Sequence, residues 1–385
     1  MMHTMHLDSR VQMLLRQGVS MTAPAQVFVG EDVRLERVRP GSTLYPGARI
    51  EGAGTWISAG AAVGTEGSVL ARNCVLGKGA KLASGSFEDC VLLEGASLGP
   101  SGHGRAGTLL EEGASTAHAV GTKQTILLAY ATLGSNINCC DALLAGGSGL
   151  GDHSEIGSGF IHFNFTPFGL TGDKATPSLF GDVPRGVLMR SPRIFLGGAG
   201  GVVGPLSVGF GTVLAAGSVW RRGRGDGILA LAERLPERDL GFAPERQGRV
   251  GEKLLANLIY IGNLHALKAY YSAVRVPLAR GDLDREAVLD AAMKLLDASV
   301  LERLKQVGRW VAGLNSSGEG ARLAADWPRL QSALLQPVLP PVPAALRVTA
   351  PGDAIPFARA LPAELASAVT AWLQAIVDVA RAEGA

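Results

Sequence analysis

The chain is short of aromatics, of cysteine and of net charge, and each shortage excludes something. Aromatic residues make up 5 % of its 385 residues against 47 % apolar overall, so its cores must be mostly aliphatic. A net charge of +2 gives no basis for wrapping nucleic acid. The four cysteines are Cys74, Cys90, Cys139 and Cys140. Adjacent cysteines rarely pair and a large core needs no staples, so reduced thiols in a cytoplasm are expected. Met1 to Met21 carries Asp8, Arg10 and Arg16 but no apolar stretch of roughly 7–15 residues, so no secretion signal is expected. Nor does any run approach about 18 uninterrupted apolar residues, and no membrane span is expected.

What the chain has instead is glycine, 52 residues of it and mostly before position 227, and a beat of six. Ile57, Val63, Val69 and Val75 are one hexapeptide apart, and so are Leu196, Val202, Val208, Leu214 and Trp220. Fragments such as Leu76 and Leu82, or Leu92 and Leu98, keep the same beat between them. A helix repeats at about 3.6 residues and an exposed-faced strand at 2, so neither accounts for it. Hexapeptide periodicity signals a parallel β-helix, in which one unit buries its apolar face only when neighbours stack on it. Three hexapeptides make one coil, which allows roughly ten coils.

The expected fold is mainly β: a hexapeptide-repeat β-helix followed by a smaller α-helical C-terminal domain. Residues 1–26 form an N-terminal helix and linker, with the helix at 7–20 and Val11, Leu14 and Leu15 on one side. The β-helix occupies 27–224 and the helical domain 225–385. Phe163 to Pro192 loses the beat and holds Pro167, Pro177, Pro184 and Pro192, so it should loop out from the coil, where function concentrates. Leu254, Leu255, Leu258, Ile261, Leu264 and Leu267 follow helical spacing within 251–275. Further helices are expected at 283–314 and 361–382, separated by a proline-rich segment, 335–356. An open solenoid end needs a cap, which the helical domain could supply.

From Val11 to Arg222 the chain resembles the acetyltransferase half of the bacterial bifunctional N-acetylglucosamine-1-phosphate uridyltransferase. The resemblance runs through Leu15, Gly18-Val19 and Pro24, then Arg105-Ala-Gly-Thr-Leu-Leu-Glu-Glu-Gly-Ala and Gly121-Thr-Lys. It is most specific at Glu155-Ile-Gly-Ser-Gly-Phe-Ile-His-Phe-Asn-Phe, Asp173-Lys174 and Leu179-Phe-Gly-Asp, and closes with Ile194-Phe-Leu-Gly and Ala215-Ala-Gly-Ser. The nucleotidyltransferase domain of that family has no counterpart here. The resemblance implies a left-handed β-helix, a homotrimer with sites between neighbouring β-helices, and acetyl-CoA or another acyl-CoA as co-substrate.

Carried over by residue, Arg105 corresponds to the arginine that binds the sugar phosphate, and Lys174 to a substrate-binding lysine. Asn164 matches the asparagine of an Asn-Tyr pair that contacts substrate and acetyl-CoA, with Phe165 in the tyrosine's place. Ala216 lies in a stretch that contacts acetyl-CoA through its backbone. The family's catalytic histidine falls near Ile126, and an isoleucine accepts no proton. His162, two residues before Asn164 and so on the same face of a strand, is the candidate base; His118 and His153 are others. Asp152, His153 and Glu155 match no standard ligand spacing, so no metal is expected.

The reading these residues favour is a cytoplasmic acyl-CoA-dependent acyltransferase acting on an amino sugar phosphate or nucleotide sugar. Two alternatives stand beside it. One is a non-catalytic sugar-phosphate or nucleotide-sugar scaffold with a protein partner bound through 251–385; the other is a partner subunit of a separate nucleotidyltransferase.

Overall fold

The computed structural model describes residues 7–168, 172–232, 237–241, 248–314 and 318–384. Positions 169–171 of the 163–192 segment, the first six residues of the expected linker and parts of 225–385 lie outside the described residues. Helix α1 (Ser9–Arg16) opens the chain, N-capped by the Asp8 carboxylate and burying Val11 and Leu14. The chain then winds into the expected left-handed parallel β-helix. Its walls are a 10-stranded sheet and a 16-stranded sheet that bends around the remaining corner.

The six-residue beat becomes a stack of apolar side chains. Leu44 pairs with Val63, Val63 with Leu82 and Leu82 with Leu98, and farther along Ile156, Leu196 and Leu214 are in register. All of these are buried, each contributing about 1.5–3 kcal/mol of apolar burial. Neighbouring coils approach so closely that a Cβ at Gly85 would sit 2.0 Å from the Gly102 carbonyl oxygen, and φ there is +128°. The coil between Ile156 and Leu196 is more than twice as long as the next one, Leu196 to Leu214. Only part of the extra length leaves the helix. Ser178–Phe180 returns to the wall between the strands Asn138–Leu144 and Leu206–Val208, followed by the short helix α2 (Val183–Gly186). Coiling also continues past 224, because Leu229–Ala230 still pairs with Val213–Leu214.

The C-terminal region contains α3 (Val250–Tyr270), a π-turn at Tyr271–Arg275, the single turn α4 (Val276–Leu278) and α5 (Leu283–Ala312). It ends with α6 (Gly318–Leu335), α7 (Ala354–Ala360) and α8 (Ala363–Ala382). Helix α6 has Pro328 within it, and α7 lies at the end of the proline-rich segment. Helix α8 is long and apolar enough by composition to cross a membrane, but Val369, Leu373, Ile376 and Val377 are buried, and its main neighbour is α3.

Among the described residues, these helices lie along the flank of the solenoid. The Asp284 carboxylate accepts from the Trp56 indole and the Ala59 amide, and Lys78 donates to Asp282 at 2.6 Å. In the middle, Tyr271 Oη donates to Glu111 Oε1 at 2.7 Å, and Arg275 meets Glu111 at 3.2 Å and Glu112 at 2.6 Å. The π-turn brings Tyr271 and Arg275 onto the same side, facing the β-helix. Farther along, the Val183 amide donates to Asn263 Oδ1 at 2.8 Å, and Arg190 donates to the Leu361 carbonyl.

Candidate functional site

Three residues far apart in sequence, Arg105, Asn164 and Lys174, meet at one cavity of about 180 Å³ between a corner of the β-helix and α5. The coil register explains much of this. His103 pairs with Gly121 and Lys123 with Cys140, so Arg105, Lys123 and Cys140 follow one another up successive coils, roughly 4.8 Å apart. The strands Gly121–Leu127 and Asn138–Leu144 both turn the corner without ending. They do so through Gln124 and Asp141, at φ of +50° and +56°. The turn points the Asp141 carboxylate at Asn164, whose Nδ2 donates to it at 2.5 Å.

Helix α5 forms the opposite wall with Glu302 and Gln306, one helical turn apart. Between them Arg303 turns inward and is nearly fully buried, donating to Asp141 Oδ1 at 3.0 Å and to the Lys174 carbonyl at 3.1 Å. The segment carrying Lys174 is tied to α3 as well. Asp173 is buried against Lys253, and Asn257 donates to the Ala175 carbonyl at 3.0 Å.

The unpaired charges of the cavity are cationic. Arg105, Lys123 and Lys174 line the cavity, and none makes an ion pair among the described residues. The Asp141 charge is taken by Arg303, and the other carboxylate of the cavity, Glu302, is paired with Lys305 at 3.3 Å. Burial opposes the Glu302 charge, but Gln306, Lys305 and Lys123 outweigh it and hold its carboxyl below the ordinary value. Burial also pushes the Cys140 thiol up, against the pull of Arg105 and Lys123, so Cys140 is a neutral wall rather than a nucleophile. All four cysteines are free and buried.

The other candidates lie elsewhere. His162 points into the coil and is 2 % exposed; its Nδ1 meets the Cys140 carbonyl and its Nε2 the Ser178 hydroxyl at 2.9 Å. Burial lowers its pKa, so the ring is neutral. His162 and Asn164 do not share a face, because the strand ends at Phe163 and alternation stops there. Phe165 is exposed, lying over Gly172, and Ala216 sits in an exposed turn beside Gly197; neither lines the cavity. Ile126 is buried in the wall between Leu109 and Leu143. His118 bonds Ser135 and His153 bonds the Leu150 carbonyl, and no metal-binding cluster occurs among the described residues.

Sequence reasoning missed Lys123, Cys140 and Asp141, and the whole α5 wall. Lys123 stood in the quoted Gly121-Thr-Lys run, but nothing marked α5 as facing the solenoid. A second cavity, about 390 Å³, is lined by Thr166, Phe168, Pro205 and Arg221. A third, about 490 Å³, is farther along the domain interface. Most of its charges are already matched, Arg275 with Glu112 and Arg285 with Asp353, so it offers less to a polar ligand.

No family model matches the chain. It is 28 % identical over 220 residues to the bifunctional protein GlmU of Pelobacter propionicus, covering 57 % of this chain and 42 % of that protein. It is 29 % identical over 218 residues to the bifunctional protein GlmU of Nocardia farcinica, covering 57 % and 39 %. The chain thus spans about two-fifths of the length of the curated relatives it matches. The β-helical part of this chain is related to the acetyltransferase half of the bifunctional GlmU proteins.

Proposed function

We propose that the protein transfers an acyl group from an acyl-CoA to the amine of a small sugar phosphate, or of a nucleotide sugar, held at the Arg105–Asn164–Lys174 cavity. One observation carries this reading: the residues matching the relatives' substrate-binding positions, scattered over seventy positions of sequence, line one cationic cavity. Arg105 offers a planar fork to a phosphate, while Lys123 and Lys174 act as point charges. Asn164, held by Asp141, has its carbonyl oxygen left to accept from a ligand hydroxyl or amine. The acyl donor would enter from the neighbouring cavity, where Arg221 suits the phosphates of coenzyme A and Phe168 and Pro205 suit its apolar arm. Phe165 and the Ala216 backbone are assigned to the same donor.

In the reaction, the amine nitrogen attacks the thioester carbonyl, the new C–N bond forms and the C–S bond breaks. The thiolate leaves and takes up a proton, and the amine loses one. His162 enters as a positioning residue. Its ring fixes the Cys140 carbonyl and the Ser178 hydroxyl under the cavity floor. The protein would work in the cytoplasm as a homotrimer, as the resemblance implies.

A non-catalytic sugar-phosphate scaffold is the second reading, favoured by Ile126 lying buried where the relatives' histidine would be expected. Thiol release from acetyl-CoA in the presence of glucosamine-1-phosphate separates the two. Release dependent on both substrates supports transfer; tight phosphate-ester binding with no release supports the scaffold.

A further inference from the structure

The relatives account for the β-helix side of the cavity, but the opposite wall belongs to a helical domain of the same chain. We propose that α5 is a working part of the ligand site. Glu302 and Gln306 select the group that the ligand presents opposite its phosphate, and Arg303 positions Asn164 and Lys174. The site is then completed within one chain. This inference rests on the reading of the cavity as a phosphate-ester site.

The cavity has two poles. Arg105, Lys123 and Lys174 form one, and Glu302 with the Gln306 amide forms the other. Glu302 already accepts from Gln306 Nε2 at 2.6 Å and from Lys305 at 3.3 Å, and each carboxylate oxygen can take more than one donor. A pocket of this polarity fits a ligand with a phosphate at one end and an ammonium at the other. Its volume, about 180 Å³, falls below the roughly 300–1,000 Å³ of pockets that enclose drug-sized ligands. The ligand class is therefore a small amino phosphate ester rather than a nucleotide sugar.

Arg303 explains why the helical domain must be docked for this to work. Its guanidinium holds Asp141, which holds Asn164, and it also holds the Lys174 carbonyl. Lys253 and Asn257 clamp the flanking residues Asp173 and Ala175. Asn164 and Lys174 thus take their places from the helical domain.

Calorimetric titration with three probes tests this: inorganic phosphate, glucose-1-phosphate and glucosamine-1-phosphate. Wild-type protein should prefer the amino ester over its hydroxyl counterpart by about 10-fold or more, the scale of a charge-assisted hydrogen bond. Glu302→Gln should bring the two esters to within about 2-fold, while inorganic phosphate binds at least as tightly because a repulsive charge has gone. Arg303→Lys should weaken all three probes about 10-fold with little change in the preference between esters, since the bidentate hold on Asp141 and Lys174 is lost. An unchanged ester preference in Glu302→Gln overturns the inference, and so does an Arg303→Lys protein that binds all probes normally. Acetyl-CoA binding, measured alone, reports separately on acyl transfer. Acetyl-CoA bound with no phosphate probe bound removes both the phosphate-ester reading of the cavity and this inference; the reverse result removes transfer and leaves the site.

Discussion

Replacing Arg275 by Met should loosen the clasp that holds the helical domain to the flank, and the cost follows from what remains behind. Arg275 is 4 % exposed and Glu111 1 %. Breaking such a pair by removing one partner costs about 3–5 kcal/mol, because an uncompensated charge stays buried. Glu111 keeps the Tyr271 hydroxyl at 2.7 Å and the Ala129 amide at 3.0 Å, so the expected loss lies near the lower end of that range. Adding Glu111→Gln removes the stranded charge, and the double variant should recover about 2 kcal/mol of it. The pH dependence gives a second check. Burial pushes the Glu111 carboxyl above its ordinary value of 4.5, against the pull of Arg275. Without Arg275 it rises further. An acid whose folded pKa is raised binds more protons folded than unfolded, so its contribution falls as pH rises through that window. The Arg275→Met deficit should therefore be largest near pH 8 and shrink toward about pH 5. Urea unfolding at several pH values measures it. Equal deficits in the single and double variants, or a deficit that grows on acidification, would refute the reasoning.

Other perturbations have equally definite expectations. Lys174→Ala should cut acyl transfer by about 10-fold or more while leaving the melting temperature unchanged, because the side chain is exposed and makes no ion pair among the described residues. His162 is held neutral by burial, so its contribution to stability is present above about pH 6.5 and lost as pH falls through its lowered pKa; His162→Asn should flatten that part of the profile in thermal melts at about pH 5–7. The contact with Cys74 together with burial raises the thiol pKa of Cys90, and burial raises that of Cys139, so neither should react with a thiol reagent until the chain unfolds, which mass spectrometry of partly labelled protein reads directly.

The solenoid was legible because six residues of sequence correspond to one strand and its turn, so aliphatic spacing projects directly onto the stacked core. Helices α3, α5 and α8 were legible from their 3.6-residue period. Helix α6 was not, since Gly318, Gly320 and Pro328 break the propensity that tertiary packing of Leu323, Trp327 and Leu330 restores. The β-helix half of the site came from the resemblance, which marked Arg105, Asn164 and Lys174. Lys123 and Cys140 join it only once the coil length is known, because register sets which residues stack. Glu302, Arg303 and Gln306 were out of reach. Their helical spacing is ordinary, and a single sequence does not say how one domain docks on another. The placing of His162 beside Asn164 assumed strand alternation beyond the point where the strand ends, at Phe163.

The central claim is that the cavity between the β-helix corner and α5 holds a phosphate ester. A crystal structure with glucosamine-1-phosphate bound tests it most directly. The account predicts its phosphate among Arg105, Lys123 and Lys174 and its nitrogen toward Glu302. A phosphate found in the cavity of Arg275 and Arg285, or an empty corner at saturating ligand, would contradict it.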